Sequence, residues 1–145
     1  MKIINQVILL SLFVGVFFTG CMQNSKDMIL ENQQSLKVRS YQIKEFNKTK
    51  KEVARAIVST LQDLSFIIDR ADMETGTVTA TKLVKGASMR MTIIARKQTK
   101  TSTKVRLNAQ FSGGGNMPKA VKDPETYKAF FIALDKSLFL ESQGI

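Results

Sequence analysis

The sequence predicts an α+β domain, in which an antiparallel sheet of four to five strands carries two helices packed on one face. Segments in the middle of the chain alternate apolar and polar residues, which is typical of strands with one buried and one solvated face. Two flanking segments repeat apolar residues every three or four positions, as helices that pack against a core do. The expected order is therefore β-α-β-β-β-β-α, with both helices on the apolar face of the sheet.

The order begins with a strand at residues 37–46, where apolar residues stand among charged ones. Thr49 and Glu52 then have the spacing of a capping box, in which each side chain bonds a free backbone N–H at the start of a helix. Apolar residues continue this helix to about Leu64. Its buried stripe is predicted to be Val53, Ile57, Leu61 and Leu64.

The strands that follow are predicted from short runs that alternate or are rich in β-branched residues. Residues 66–68 are expected to form a short buried strand, and residues 77–82 form the next one. Two longer strands follow, and each places one set of side chains inside and another outside. The inside set is Met89, Met91, Ile93, Ala95, Val105, Leu107, Ala109 and Phe111. The outside set includes Arg90, Arg96, Lys104 and Arg106.

The last helix is predicted by its first residues. Residues 112–116 contain three consecutive glycines, which end the sheet. Asp123 is a suitable cap, and Pro124 suits the first helical position because its missing N–H would be unpaired there. An aromatic-rich stripe follows, which predicts deeper packing than that of the first helix. It consists of Tyr127, Phe130, Phe131, Leu134 and Leu138.

The first twenty residues predict export. Lys2 precedes a short apolar run, residues 7–18, and small residues follow, which is the pattern of a secretory signal peptide. The competing interpretation is a transmembrane anchor, but about a dozen apolar residues fall short of the roughly 20 that span a bilayer.

Cys21, the only cysteine, predicts a lipid anchor. Residues 18–21 read Phe-Thr-Gly-Cys and resemble the bacterial lipobox, with Phe18 in place of the usual Leu. The resemblance implies cleavage before Cys21, a diacylglycerol on its sulfur and an acyl chain on the new N-terminus. An ordinary buried thiol is the alternative, but it would stand directly after the apolar run only by chance.

The rest of the chain divides into a tether and one domain. Residues 21–36 are largely polar and link the acylated Cys21 to a single periplasmic domain at residues 37–145. Several acyl chains hold a protein firmly on a membrane surface. Met22, rather than Asp, follows the cysteine, and this favours the outer membrane over the inner one if the host has both.

The chain has a net charge of +10, and loss of the first twenty residues, with Lys2 as their one charge, leaves +9. This balance favours an anionic partner, either a lipid head group, a glycan or an acidic protein surface, whereas export argues against nucleic acid. The competing interpretation is a solvated lysine-rich surface. The candidate contact surface is the outer side of the sheet, with Arg90, Arg96, Lys104 and Arg106.

The composition argues against an enzyme. The chain has no histidine and no cysteine besides Cys21, which excludes Ser-His-Asp and Cys-His arrangements and ordinary zinc sites. Asp69, Asp72 and Glu74 surround one turn but lack the spacing of a calcium loop. The glycines at residues 113–115 lack the Lys-Ser/Thr ending of a phosphate loop. We expect no catalytic residue, no metal and no cofactor apart from the lipid on Cys21.

Two segments carry a family resemblance. Residues 61–68 read LQDLSFII and residues 123–131 read DPETYKAFF, and both are similar to a family of small, largely uncharacterised proteobacterial envelope lipoproteins. Residues 136–141 are similar to the C-terminal segment of that family, and the resemblance covers about residues 38–141. Some members carry a small-residue-rich insertion where this chain has only residues 85–88. The resemblance implies no catalytic residue.

The predicted arrangement also resembles the helix-grip domains of the lipoprotein C subunit of the outer-membrane barrel assembly machine. That likeness concerns architecture and implies no shared activity.

These inferences favour a non-enzymatic lipoprotein that is a structural or accessory component of a larger envelope assembly, such as a transport, secretion or motility machine. The second hypothesis is a binding module for a lipid or another amphiphilic or anionic ligand, and an enzyme is the third. The ligand would occupy a cavity between the helices and the sheet. Its expected aromatic lining is Phe66, Phe111, Tyr127, Phe130 and Phe131.

Overall fold

The elements follow one another in the order α-β-α-β-β-β-β-β-α in a computed structural model that describes residues 36–115 and 117–144. Residues 36–41 form helix α1. The strands are β1 (Ile43–Phe46), β2 (Ile67–Asp72), β3 (Thr77–Val84), β4 (Ala87–Lys97), β5 (Thr103–Gly113) and β6 (Lys119–Ala120). The two longer helices are α2 (Lys50–Asp63) and α3 (Pro124–Ser142).

The predicted fold class is confirmed, because all the strands pair antiparallel in one sheet and the order along it is β1-β5-β4-β3-β2. β6 is a sixth strand that the sequence did not predict. It pairs with Gln110 and Phe111 of β5, while β1 pairs with residues 103–106 of the same strand. Because β4 occupies the whole of the other edge of β5, β1 and β6 lie end to end along one edge.

Helices α2 and α3 pack on one face of the sheet, which we call the inner face. The predicted helix stripes and inward strand positions meet there in one apolar core. Burying a side chain of this size contributes roughly 1.5–3 kcal/mol. The largest apolar side chains that are fully buried are Tyr127, Phe130, Ile57, Leu61, Ile93, Leu107, Leu134, Val53, Val78 and Val105.

Both predicted helix starts are confirmed. The Thr49 side chain accepts a hydrogen bond from the backbone N–H of Glu52, and the Glu52 carboxylate accepts one from the backbone N–H of Thr49 at 2.8 Å. Asp123 stands just ahead of α3, and its carboxylate accepts hydrogen bonds from the N–H groups of Glu125 and Thr126 in the first turn. Each cap satisfies donors that have no partner within the helix.

The prediction of a strand at residues 37–46 is wrong in its first half, because residues 36–41 are helical. Tyr41 ends this helix with its ring centroid 5.6 Å from that of Tyr127, and its hydroxyl donates to the carbonyl oxygen of Lys122 at 3.0 Å. Contacts with a distant part of the chain therefore override the weak local alternation. Only Ile43–Phe46 forms the strand.

Two predicted burials are also wrong. The strand predicted at residues 66–68 is not buried throughout: β2 lies at the sheet edge and Ile67 is 67% exposed, although Phe66 is buried. Phe111 is 43% exposed although it lies on the inner face. The N–H of Val121 bonds the carbonyl of Ala109 at 2.9 Å, so α3 starts near that level of the sheet. From there α3 runs along the sheet away from Phe111 and leaves that side chain uncovered.

Residues 1–35 lie outside the described residues, and with them the predicted signal peptide and Cys21. The expected tether, residues 21–36, lies there too except for Leu36, which is helical and 63% exposed. The predicted domain at residues 37–145 falls within one compact unit of the chain, Ser35–Ile145.

Candidate partner-binding face

The side of the sheet away from α2 and α3, which we call the outer face, is polar and solvated. Successive side chains of a strand point to opposite sides, so burial of Val78, Ile93 and Leu107 directs their neighbours outward. The outward residues of the three central strands are half-buried or exposed. They include Thr77, Thr79, Thr81, Thr92, Asn108 and Gln110.

Three of the four predicted cations meet on this face, and we call them the basic cluster: Arg96, Lys104 and Arg106. Arg96 of β4 lies directly opposite Lys104 of β5, and Arg106 is the next outward residue along β5. Directly opposed side chains have Cβ atoms about 4.5–5.5 Å apart. All three are exposed, and none belongs to an ion pair within the described part of the chain. Like charges this close repel one another.

The fourth predicted cation, Arg90, lies apart from the basic cluster. It stands six residues before Arg96 on the same strand, a distance of about 20 Å at the rise of a β-strand. Its Nε lies 3.8 Å from a carboxylate oxygen of Asp69 and 3.4 Å from the hydroxyl of Thr81. All four predicted cations thus lie on the outer face, but Arg90 stands apart from the other three and already has an anionic neighbour.

Glu45 is the carboxylate nearest to the basic cluster by strand register, since it pairs with Lys104 across β1 and β5. It forms no ion pair with that lysine and instead accepts a hydrogen bond from the hydroxyl of Ser102. The cluster thus keeps its positive charge on the outer face. Such a charge attracts anions over about a Debye length, which is ~8 Å at physiological ionic strength.

A groove of about 320 Å³ with a mixed polar and apolar lining opens on the outer face where β1 and β6 meet, and the sequence did not reveal it. Gln42 lies just before β1 and donates a hydrogen bond to the Tyr127 hydroxyl at 3.3 Å, and that hydroxyl donates to the carbonyl of Val121 at 2.6 Å. Arg90 and Asn108 supply polar groups to the same groove. The groove depends on two strands sharing one edge, for which the sequence carries no local signal.

Of the three carboxylates predicted around one turn, Asp72 holds the turn. Asp72 accepts hydrogen bonds from the N–H groups of Glu74 and Thr75 at 3.0 and 2.9 Å. The backbone N–H of Thr75, and then its side chain, hold the pKa of Asp72 below its ordinary value. Asp69 instead accepts a hydrogen bond from Thr81 at 2.6 Å. Among the described residues, no three carboxylates or other ligand side chains come together as a metal site.

The five aromatic residues expected to line a ligand cavity do not share one. Phe66, Tyr127, Phe130 and Phe131 are buried in the core, whereas Phe111 is exposed at the end of the sheet. Phe130 packs edge to face on Phe131, with ring centroids 5.5 Å apart. The aromatic stripe of α3 therefore serves packing.

The sequence marks the basic region of the sheet more clearly by its lack of acidic residues than by the alternation of its strands. No Asp or Glu occurs between Glu74 and Asp123, while ten Lys and Arg residues do. This acid-free stretch comprises β3, β4, β5 and β6. No acidic residue of β3 to β6 is therefore available to neutralise the basic cluster, and Glu45 of β1 is its nearest carboxylate by strand register.

No protein-family model and no curated protein matches the chain. Among solved structures, a DUF4468 family protein from Bacteroides ovatus is similar, with a TM-score of 0.44 and 8% sequence identity over 66% of this chain and 84% of that one. A similarity at this level does not bear on family, activity or partners. Within residues 36–144, leaving out residue 116, no helix is both long and apolar enough to cross a membrane.

Proposed function

We propose that this chain is a non-enzymatic lipoprotein of the outer membrane, with its domain facing the periplasm, that serves as a structural or accessory component of a larger cell-envelope assembly. That assembly would be a transport, secretion or motility machine. The observation that carries the proposal is the basic cluster. It places three cations on a solvated sheet face, and these form no ion pair among the described residues. An acidic surface of a partner protein would offset their mutual repulsion.

The anchor is the second support. The apolar run and the lipobox-like residues 18–21 predict acylation of Cys21. Wild-type protein should take up radioactive palmitate and fractionate with the outer membrane. Cys21→Ser should take up none and should accumulate as a larger, uncut precursor, because lipoprotein signal peptidase needs the lipidated cysteine. Wild type that takes up no palmitate, or that is soluble in the periplasm, would remove the anchor from the proposal.

Co-purification from detergent-solubilised host membranes tests the partner. Wild type should retain one or more envelope proteins, and Arg96→Glu/Lys104→Glu/Arg106→Glu should lose them. The three side chains are exposed, so the variant should fold. Repeated wild-type preparations without any partner would count against the proposal.

A second triple variant separates the basic cluster from net charge. Lys51→Glu/Arg55→Glu/Lys136→Glu changes the net charge by the same amount at exposed positions on α2 and α3. It should retain the partner. Loss of the partner from both variants would mean that overall charge, and not the cluster, attracts it.

One observation favours the alternative of a binding module for an amphiphile. An apolar groove of about 290 Å³ lies between β1 and α3, with Ile43, Phe131 and Ile132 in its lining and Lys44 and Lys128 beside them. Its size is at the lower end of small-molecule pockets. Native mass spectrometry of protein from its own host decides this alternative: a bound lipid supports it, and a clean unliganded mass excludes it.

A further inference from the structure

One end of the sheet, which we call the open end, is apolar. It comprises the start of β2, the tip of the β3–β4 hairpin at residues 83–86, the end of β5 at residues 111–113, and residues 114–119 except residue 116. Half of the ten large hydrophobic side chains exposed within the described residues lie here, so they are not scattered singly over the surface. They are Ile67, Leu83, Val84, Phe111 and Met117, with Leu83 75% and Met117 85% exposed.

The strand register places these side chains at one end of the sheet but on both of its faces. Ile67 and Leu83 lie on the outer face, whereas Val84 and Phe111 lie on the inner face. Val84 pairs with Ala87, and Ala87 pairs with Gly113, so the end of β5 lies beside the β3–β4 turn. The contact is close, because a Cβ added at Gly113 would lie 2.9 Å from the Cβ of Ala87. The turn and the segment after β5 therefore form neighbouring tips at one end of the domain.

The two tips of the open end also carry positive charge. Lys85 and Lys119 are exposed there, and the whole stretch from residue 75 to residue 122 contains no Asp or Glu. Lys85 has a φ of 32° and Gly86 a φ of 78°. Two-residue turns with positive φ at both positions favour Asn, Asp or Gly first. The turn thus holds a cation at a position where lysine is conformationally unfavourable.

We propose that the open end docks on an anionic lipid surface. Exposed apolar side chains on protruding tips can enter the boundary between head groups and acyl chains, and lysines beside them attract anionic head groups. A second copy of this end is a poorer partner, because a two-fold contact would bring the same lysines together. The inference deepens the proposed function, since the lipid on Cys21 would hold the domain near a bilayer.

The chain geometry allows this docking. The carbonyl of Gln42 accepts a hydrogen bond from the N–H of Leu107 at 2.9 Å, so the chain joins the sheet about halfway along β5. The segment from Cys21 to Leu36 spans at most about 50 Å. An anchor at Cys21 therefore leaves the open end within reach of the same membrane.

The full chain contains no tryptophan, so a single introduced one reports contact with lipid. Met117→Trp in the full-length protein, reconstituted with vesicles containing phosphatidylglycerol, should shift its emission to the blue and be quenched by brominated lipid. With phosphatidylcholine vesicles, or at 1 M salt where the Debye length is about 3 Å, both signals should fall. Adding Lys85→Asn and Lys119→Gln should remove most of the quenching.

Met73→Trp is the matched control, because Met73 is an exposed methionine in the β2–β3 turn at the other end of the sheet. It should stay unshifted and unquenched. Equal quenching of both tryptophans, or of neither, would overturn the proposal. A blue shift that needs no vesicles and grows with protein concentration would overturn it in favour of self-association. Palmitate uptake by the Met117→Trp variant, with its tryptophan unquenched, would reject the docking and leave the proposed function standing.

Discussion

The two ends of the sheet are built in opposite ways. At the end opposite the open end, which we call the polar end, turns and the start of α2 are tied together by hydrogen bonds. The Thr103 hydroxyl, fully buried, donates to the carbonyl of Lys48 at 2.9 Å, and the Lys50 ammonium donates to the carbonyl of Glu74. The open end instead exposes apolar side chains and lysines.

This difference suggests that the polar end bears more of the stability, whereas the open end is free to make contacts. Helix α2 begins at the polar end, and the core lies between the helices and the central strands. A buried polar group that loses its hydrogen-bond partner is costly, so substitutions at the polar end should lower the stability of the whole domain. Exposed side chains at the open end should tolerate substitution, with effects mostly within about 0.5 kcal/mol.

The largest expected effect comes from matched glycine substitutions at the two ends. Gly76 at the polar end has a φ of 76°, and an added Cβ would lie 2.4 Å from the carbonyl oxygen of Ala95. Because Ala95 is itself bonded to Gly76 through its N–H at 2.8 Å, the strand cannot easily move away. Gly76→Ala should lower the free energy of unfolding by about 2–4 kcal/mol in chemical denaturation followed by circular dichroism.

Gly86→Ala is the control at the open end. Gly86 has a φ of 78°, but no atom of the described residues lies within 4 Å of an added Cβ. The cost should be that of the left-handed conformation alone, about 1–2 kcal/mol. Equal losses at Gly76 and Gly86 would mean that the polar end is no more tightly built than the open end.

An intermediate effect is expected from the buried hydroxyl of the polar end. Thr103→Val keeps the shape of the side chain but leaves the carbonyl of Lys48 without its 2.9 Å hydrogen bond. We expect a loss of about 1–3 kcal/mol in the free energy of unfolding, measured in the same way. Thr101→Val, at an exposed position in the adjacent loop, should change stability by less than about 0.5 kcal/mol. Similar values for the two variants would show that the Thr103 bond is not important.

The smallest expected effect is a loss of stability in acid that starts at the polar end. Hydrogen bonds from the side chain and then the backbone of Thr49 lower the pKa of Glu52 below 4.5. Hydrogen bonds from the backbone and then the side chain of Thr75 lower the pKa of Asp72 below 3.8. A carboxylate with a lowered folded-state pKa stabilises the fold above its unfolded-state pKa. That contribution is lost as the pH falls through the folded-state pKa.

Thermal unfolding between pH 6 and pH 3 measures this loss. The wild-type melting temperature should fall more steeply below about pH 4.5 than that of Glu52→Gln/Asp72→Asn. Hydrogen exchange at low pH should increase first in the β2–β3 turn, since no carboxylate lies between residues 75 and 122. Exchange that increases first at residues 85–86 would contradict the assignment of acid sensitivity to the polar end.

Caps and alternation were predictable from the sequence because they act over a few residues. The Thr49 capping box, the Asp123 cap and the alternation of β4 and β5 are confirmed. The basic cluster was also predictable in part, because alternation alone puts Arg96, Lys104 and Arg106 on one face. The same alternation could not separate Arg90 from the basic cluster, because the carboxylate beside it, Asp69, comes from β2.

The sequence by itself thus determined the α+β class, the two longer helices, the central strands with their inner and outer faces, and an excess of positive charge. Only the tertiary structure decided that residues 36–41 are helical, that β1 and β6 share an edge of β5, and that apolar tips gather at the open end. The reason is distance along the chain. Tyr41 bonds Lys122 and Gln42 bonds Tyr127, pairs 81 and 85 residues apart. No local periodicity encodes such contacts, and they form only when the strands take up their register.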